Sequence, residues 1–273
     1  MIDLHVHTWR CRHAEGHAPD YVRAACARGV STLAFTEHLP LAPTLAASVP
    51  GADGYAMPAA EFPLYVEEVR EAAELGRGLG VEVLLGVEVD AVSVALDHAR
   101  EVVARWPFDI VLGSVHFIDG WAFDDPARTD GYAAWDIREL WERYFDDVVR
   151  AARAGIADVI GHVDLVKKFG ARPDGPLNSV YRSLARELAA AGVAVEVNSA
   201  GLRKPCAELY PAQAVLEELF RAGVPCTIGS DAHAPGEVGA GLDAARAALA
   251  AAGYRSVLVF RNRVAEEVGI DEL

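Results

Sequence analysis

The chain has 273 residues, 52% of them hydrophobic, with a mean hydropathy of +0.15. That is enough to bury one large core, and residues 1–273 read as a single α/β domain. Forty acidic against 25 basic residues give a formal net charge of −15. Such a field repels polyphosphate backbones, so a small molecule is the expected partner and nucleic acid is not. Cys11, Cys26, Cys206 and Cys226 show neither CxxC pairing nor the density of a disulfide scaffold. No apolar run reaches the roughly 18 residues of a membrane span, and the start of the chain lacks the pattern of a secretory signal. A cytoplasmic protein without membrane contact is expected.

Short β-rich apolar runs alternate with longer segments of helical period, the pattern of repeated βα units around a parallel sheet. In chain order, strands are predicted at Ile2–Val6, Thr32–Thr36, Val81–Val89, Ile110–Val115, Val159–Gly161, Val193–Asn198 and Thr227–Ser230. Helices are predicted at Asp20–Arg28, Phe62–Leu79, Val94–Arg105, Ala133–Ala154, Leu177–Ala191, Ala212–Ala222 and Glu237–Ala251. Gly29, Gly80, Gly155, Gly192, Gly223 and Gly253 each fall just past a helix, where a left-handed cap favours the residue without Cβ. Seven βα units, or eight strands if Ser256–Phe260 joins the sheet, favour a closed barrel over an open doubly wound sheet. The long, weakly periodic stretches Pro40–Glu61 and Asp119–Gly131 read as lids or binding loops.

The chemistry collects at one end of this pattern. His5 and His7, His38, Glu88, His116, His162, and Asp231 with His233 each sit at the C-terminal end of a predicted strand or just after it. In a parallel barrel all those ends meet at one mouth. In His5-Val6-His7, positions i and i+2 of a strand share a face, so two imidazoles can grip one ion; Asp231-Ala232-His233 repeats the geometry. Glu88 ends an apolar strand, where a carboxylate needs a cationic partner. Any one of these histidines alone would more often be a hydrogen-bonded core or loop residue, but independent accidents would not place nearly all of them at the same strand ends. His13 lies in the loop just after the first strand, near the mouth, whereas His98, inside a helix, reads as an ordinary surface residue. The donors exceed the about four that a single tetrahedral ion needs, so two or three ions are implied, and mixed imidazole and carboxylate ligation suits Zn, Fe or Mn better than Mg or Ca.

The ordered series His5-Val6-His7-Thr8, His38, Glu88, His116, His162 and Asp231-Ala232-His233 resembles the ligand set of the PHP (polymerase and histidinol phosphatase) family. The stretches His13-Ala14-Glu15-Gly16-His17, Gly113–Phe117, Gly161–Phe169, Asn198–Arg203 and Gly229–His233 are similar to its histidinol-phosphatase branch. The resemblance runs from residue 2 to about residue 240. It implies a distorted, TIM-like (β/α)7 barrel and a trinuclear site. By that analogy His5, His7, Glu88 and Asp231 hold one ion, Glu88 with His116 and His162 a second, and His13, His38 and His233 a third. One departure is Glu37, where the resemblance leads one to expect aspartate.

The implied activity is hydrolysis of a phosphate monoester, L-histidinol phosphate, in histidine biosynthesis. Metal ions would make water nucleophilic and neutralise the phosphoryl oxygens. Asp231 or His233 would return a proton to the leaving alkoxide. Lys167, Lys168 and Arg203 are candidate phosphate clamps, and Glu15, His17 and Asp124 candidates to meet the amine or imidazole of the substrate. The competing expectations are a nucleotide phosphodiesterase or exonuclease, a non-catalytic metal-stabilised interaction domain, and a metal-dependent amide or sugar hydrolase on a similar barrel.

Overall fold

The computed structural model describes residues 1–273. In chain order its elements are β1 (Ile2–Val6), α1 (Ala18–Ala27), β2 (Thr32–Phe35), α2 (Pro43–Ala46), α3 (Phe62–Leu79), β3 (Glu82–Asp90), α4 (Leu96–Val103), β4 (Ile110–Ser114), β5 (Phe117–Ile118), β6 (Trp121–Ala122), α5 (Ile137–Arg153), β7 (Val159–Ile160), α6 (Asn178–Ala191), β8 (Ala194–Asn198), α7 (Gln213–Ala222), β9 (Cys226–Gly229), α8 (Leu242–Ala252), β10 (Ser256–Arg261) and β11 (Val264–Gly269). A seven-stranded parallel sheet runs β1-β2-β3-β4-β7-β8-β9. Its two edges meet at the mouth, where the backbone N–H of His7 donates to Ala232 O at 2.9 Å. Lower down, the buried Asp3 carboxylate accepts from Ser230 N at 2.7 Å and Gly239 N at 2.8 Å, tying β1 to the chain after β9. The result is a nearly closed, distorted (β/α)7 barrel.

Alternate side chains along a strand share a face. Leu84, Gly86 and Glu88 therefore line up on β3, and Ala194, Glu196 and Asn198 on β8. The same face is apolar at the N-terminal end of the strand and polar or ionisable towards the C-terminal end, which concentrates the chemistry at the mouth and the core beneath it. The six glycines expected to cap helices all have φ between +66° and +114°. Helix α8 starts at Leu242 rather than Glu237, because Gly239 and Gly241 hold φ of +72° and +77° and delay it.

Ser256–Arg261 does not become an eighth barrel strand. It pairs antiparallel with Val264–Gly269 through a turn in which Asn262 and Arg263 take φ of +51° and +62°, the two left-handed residues that a tight hairpin requires. This hairpin seals the N-terminal end of the barrel. Val257, Val259 and Phe260 share an apolar cluster with Leu84, Ile110 and Ala194. Arg261 bonds Glu82 and Arg263 bonds Asp158, at 2.7 and 2.9 Å.

Candidate metal centre

All nine side chains expected as ligands converge at the C-terminal mouth. Nitrogen and oxygen donors of His5, His7 and Asp231 lie within 4.8 Å of one another, as do those of Glu88, His116 and His162, and those of His13, His38 and His233. Glu88 stands at the centre: its Oε1 is 3.1 Å from His162 Nε2, and its Oε2 is 3.0 Å from His38 Nδ1 and 3.5 Å from His5 Nε2. His162 and Asp231 reach their places with φ of +23° and +53°, backbone strain of the kind that persists at functional sites when the surroundings enforce it.

The outer partners of these rings decide what points inward. His5 Nδ1 donates to Glu196 Oε1 at 2.8 Å, His7 Nδ1 to Glu37 Oε1 at 3.2 Å, and His116 Nδ1 to Asp90 Oδ1 at 2.8 Å. An imidazole that donates from Nδ1 presents a lone pair at Nε2. His5 Nε2 and His7 Nε2 then face each other at 3.0 Å, and His116 Nε2 faces His162 Nε2 at 3.3 Å. Lone pairs this close repel unless a cation or a proton lies among them. Glu88 Oε2 is buried without a hydrogen-bond donor, which is costly for a carboxylate oxygen. The residues present therefore fit divalent transition-metal ions, and the carboxylate behind each of those three rings is the outer shell such ligands use.

The electrostatics agree. Burial lowers the His5 pKa, but Glu196, Asp231 and Glu88 outweigh it and raise it well above 6.5. Against the same burial penalty, hydrogen bonds donated to Asp231 and Glu37 bring His7 to about 9, and the charges of Glu88 and Asp90 bring His116 to about 10. A field that retains protons on three imidazoles favours cations at that spot. His38 and His233 are pushed the other way, by burial and by neighbouring imidazoles, and stay neutral.

Two glycines make room for this arrangement. A Cβ on Gly229 would lie 2.3 Å from Glu196 Oε1 and 2.6 Å from His5 Cβ, and one on Gly161 would lie 2.6 Å from Ser114 Oγ. That hydroxyl donates to Glu88 Oε1 at 2.6 Å.

Above the cluster opens a cavity of about 540 Å³, bordered by Pro50–Tyr55 on one side and Asp124–Arg128 on the other. These segments belong to the two long loops singled out in the sequence. Lys168 and Asp124 are on its wall, paired at 3.0 Å. Lys167 is not: its ammonium is buried against Asp164 at 2.8 Å and Leu209 O at 2.6 Å. Arg203 turns to Ser230 O at 2.8 Å and Glu237 at 3.3 Å, bracing the loop that carries Asp231. Glu15 and His17 lie outside the cavity, the latter beside Glu68 at 3.2 Å. His98 is half buried, with Nε2 3.1 Å from Pro40 O, rather than an open surface residue.

Sequence reasoning missed Glu196, Asp90, Tyr55 and Lys204. A carboxylate inside the apolar strand Ala194–Asn198 was the available signal for Glu196. Lys204 lines the cavity and pairs with no acid; nothing in its sequence context marks it.

A parallel barrel that gathers imidazoles and carboxylates at the C-terminal ends of its strands defines the class of metal-binding α/β barrels. Within it, the chain belongs to the PHP family, whose PHP domain model matches residues 3–200. It is 36% identical over 264 residues to a Deinococcus radiodurans protein named a probable histidinol-phosphatase, covering 96% of this chain and 97% of that one. It is 27% identical over 260 residues to the Bacillus subtilis histidinol-phosphatase, covering 87% and 95%. The crystal structure of Lactococcus lactis histidinol phosphate phosphatase, solved with zinc, L-histidinol and phosphate, shares the fold with a TM-score of 0.82 at 21% identity, covering 97% of this chain and 98% of that one.

Proposed function

We propose that residues 1–273 act as one barrel domain that hydrolyses L-histidinol phosphate to L-histidinol and phosphate, a step of histidine biosynthesis in the cytoplasm. The observation that carries this reading is Glu88, a buried carboxylate ringed by His5, His38, His116 and His162 at the floor of an open cavity. Likeness to the Deinococcus protein along nearly the whole chain supports the substrate class.

His5, His7 and Asp231 with Glu88 would hold one ion, Glu88, His116 and His162 a second, and His13, His38 and His233 a third. Zn, Fe or Mn bound there would supply an activated water and neutralise charge on the phosphoryl oxygens. Asp231 and His233 rest in their base forms, Asp231 because His5 and His7 offset the burial that would otherwise raise it. One of them takes the proton released during attack and returns it to the leaving alkoxide. Lys204 and Lys168 on the wall contact the phosphate, while Lys167 and Arg203 act as supports for the loops beneath. Asp124 and Asp125 offer carboxylates to the cationic end of the substrate. No helix is long and apolar enough to cross a membrane.

The test is a panel of phosphate-release assays on metal-loaded protein, comparing L-histidinol phosphate with nucleotide diesters. Preference for the monoester is expected. A strong preference for the diesters would replace this reading with a nuclease of the same family.

A further inference from the structure

His13 differs from the other eight proposed ligands in what orients it. His5, His7 and His116 are steadied by the carboxylates of Glu196, Glu37 and Asp90, and His233 by the Asp231 carbonyl at 3.0 Å, all from strand ends or the turns that follow them. His13 instead sits on the loop after β1, its Nδ1 3.1 Å from Gly54 O. The bond leaves Nε2 to face inward, where the His13 ring stacks on His233 at 5.0 Å and lies 5.2 Å from His38. Arg10 and Arg12 anchor the base of the His13 loop to Glu68 and Glu61, at 2.7 and 2.6 Å. The arginines can only donate, and the one acceptor at the His13 Nδ1–H is Gly54 O.

Gly54 in turn belongs to a segment held across the mouth. The Tyr55 hydroxyl donates to Asp125 Oδ2 at 2.5 Å, and Arg128 donates to Pro50 O at 2.8 Å. Asp125 is itself fixed, because its other oxygen accepts from Ala127 N at 2.7 Å. The Tyr55 ring packs edge-on against Phe117 at 5.6 Å. Two bonds thus join the 50–55 segment to the 124–128 segment over the cavity, and the same 50–55 segment carries the carbonyl that fixes His13.

We infer that the third metal position is coupled to this latch: Tyr55 and Arg128 are positioning residues that hold Gly54 O where it fixes His13 in its ligating orientation. This rests on the three-ion reading of the site. When the latch opens, His13 loses its only acceptor, and its ring is free to rotate or change tautomer. His38 and His233 are then left as a two-nitrogen site that binds a cation weakly. The ions on His5, His7, Asp231, Glu88, His116 and His162 have no partner in the latch and are unaffected. The mouth through which substrate enters and the ion set that meets its phosphate therefore respond together.

The experiment is elemental analysis of zinc-loaded full-length protein after equilibration with graded chelator, with circular dichroism confirming the fold. The variants are Tyr55→Phe, which removes one hydroxyl and keeps the ring on Phe117, Arg128→Met, and His13→Ala. The wild type is expected to hold three zinc ions per chain and His13→Ala two. Tyr55→Phe and Arg128→Met should take up three but release one at about 10-fold less chelator, the scale of a lost outer-shell partner, with the other two released as in the wild type. Retention of all three ions at wild-type chelator levels in both latch variants overturns the coupling, and so does parallel loss of every ion. A His13→Ala protein that still holds three ions removes the ligand assignment itself and the coupling with it.

Discussion

The Glu196 carboxylate stands 2.8 Å from His5 Nδ1 and accepts at its other oxygen from the His162 backbone N–H at 3.1 Å and Asn198 Nδ2 at 3.0 Å. One buried acid thus orients residues of two proposed ion positions at once. Glu196→Gln keeps the size but not the charge, and metal affinity should fall about 10- to 100-fold with the fold retained. Gly229→Ala should give a similar loss by a separate route, since its Cβ would displace that carboxylate. Metal titration with a competing chelator measures both, and affinity equal to wild type in the two variants would contradict the role given to Glu196.

His116→Ala removes one of the two imidazoles beside Glu88 Oε1. Turnover on L-histidinol phosphate should drop about 1,000-fold or more, equivalent to about 4 kcal/mol of transition-state stabilisation, with a melting temperature close to wild type. Chelation of the wild type should abolish activity, and added Zn or Mn should restore it. Steady-state rates near wild type in His116→Ala would speak against an ion at that position.

Lys204 and Lys167 should separate cleanly. Lys204→Ala is expected to raise KM with little change in melting temperature, because its side chain faces the cavity and pairs with nothing. Lys167→Met strands the buried Asp164 and should cost about 3–5 kcal/mol of stability. Paired KM and denaturant measurements check this; a KM effect confined to Lys167→Met would reverse the two roles.

Arg261 donates to both oxygens of Glu82 at 2.7 Å, and that hydrogen bonding outweighs burial to hold Glu82 below its ordinary value of 4.5. A carboxyl lowered in the folded state stabilises above its ordinary pKa, and the gain disappears as pH falls through the lowered value. Arg261→Met should therefore be less stable than wild type by up to about 1 kcal/mol near pH 7, a modest figure because the pair is partly exposed. The difference should begin to shrink below pH 4.5 and close only once pH has passed the lowered value. Urea melts over a pH series measure it, and a gap that persists in acid would point to packing of the arginine stem instead.

The repeating βα pattern, the strand ends and the strand-end donors were all legible in the sequence. Period and position are local properties, and a parallel barrel carries every strand end to the same mouth. Glu37 shows how far local reading reaches. Its place beside His38 was visible, but not that it would bond His7 Nδ1 and Thr8 N at 3.2 and 2.9 Å.

What the sequence by itself determined is the architecture and the identity of the donors that meet there, because strand periodicity and the chemistry of imidazole and carboxylate are set residue by residue. Only the tertiary structure decided which neighbours those donors acquire. It buried Lys167 against Asp164 and set Lys204 on the cavity wall, folded Ser256–Arg261 into a hairpin under the barrel, and put Glu196 behind His5 and Gly54 behind His13. Those outcomes depend on where side chains from distant segments find a partner or a space, and contacts across 191 residues, as between His5 and Glu196, leave no mark in local sequence.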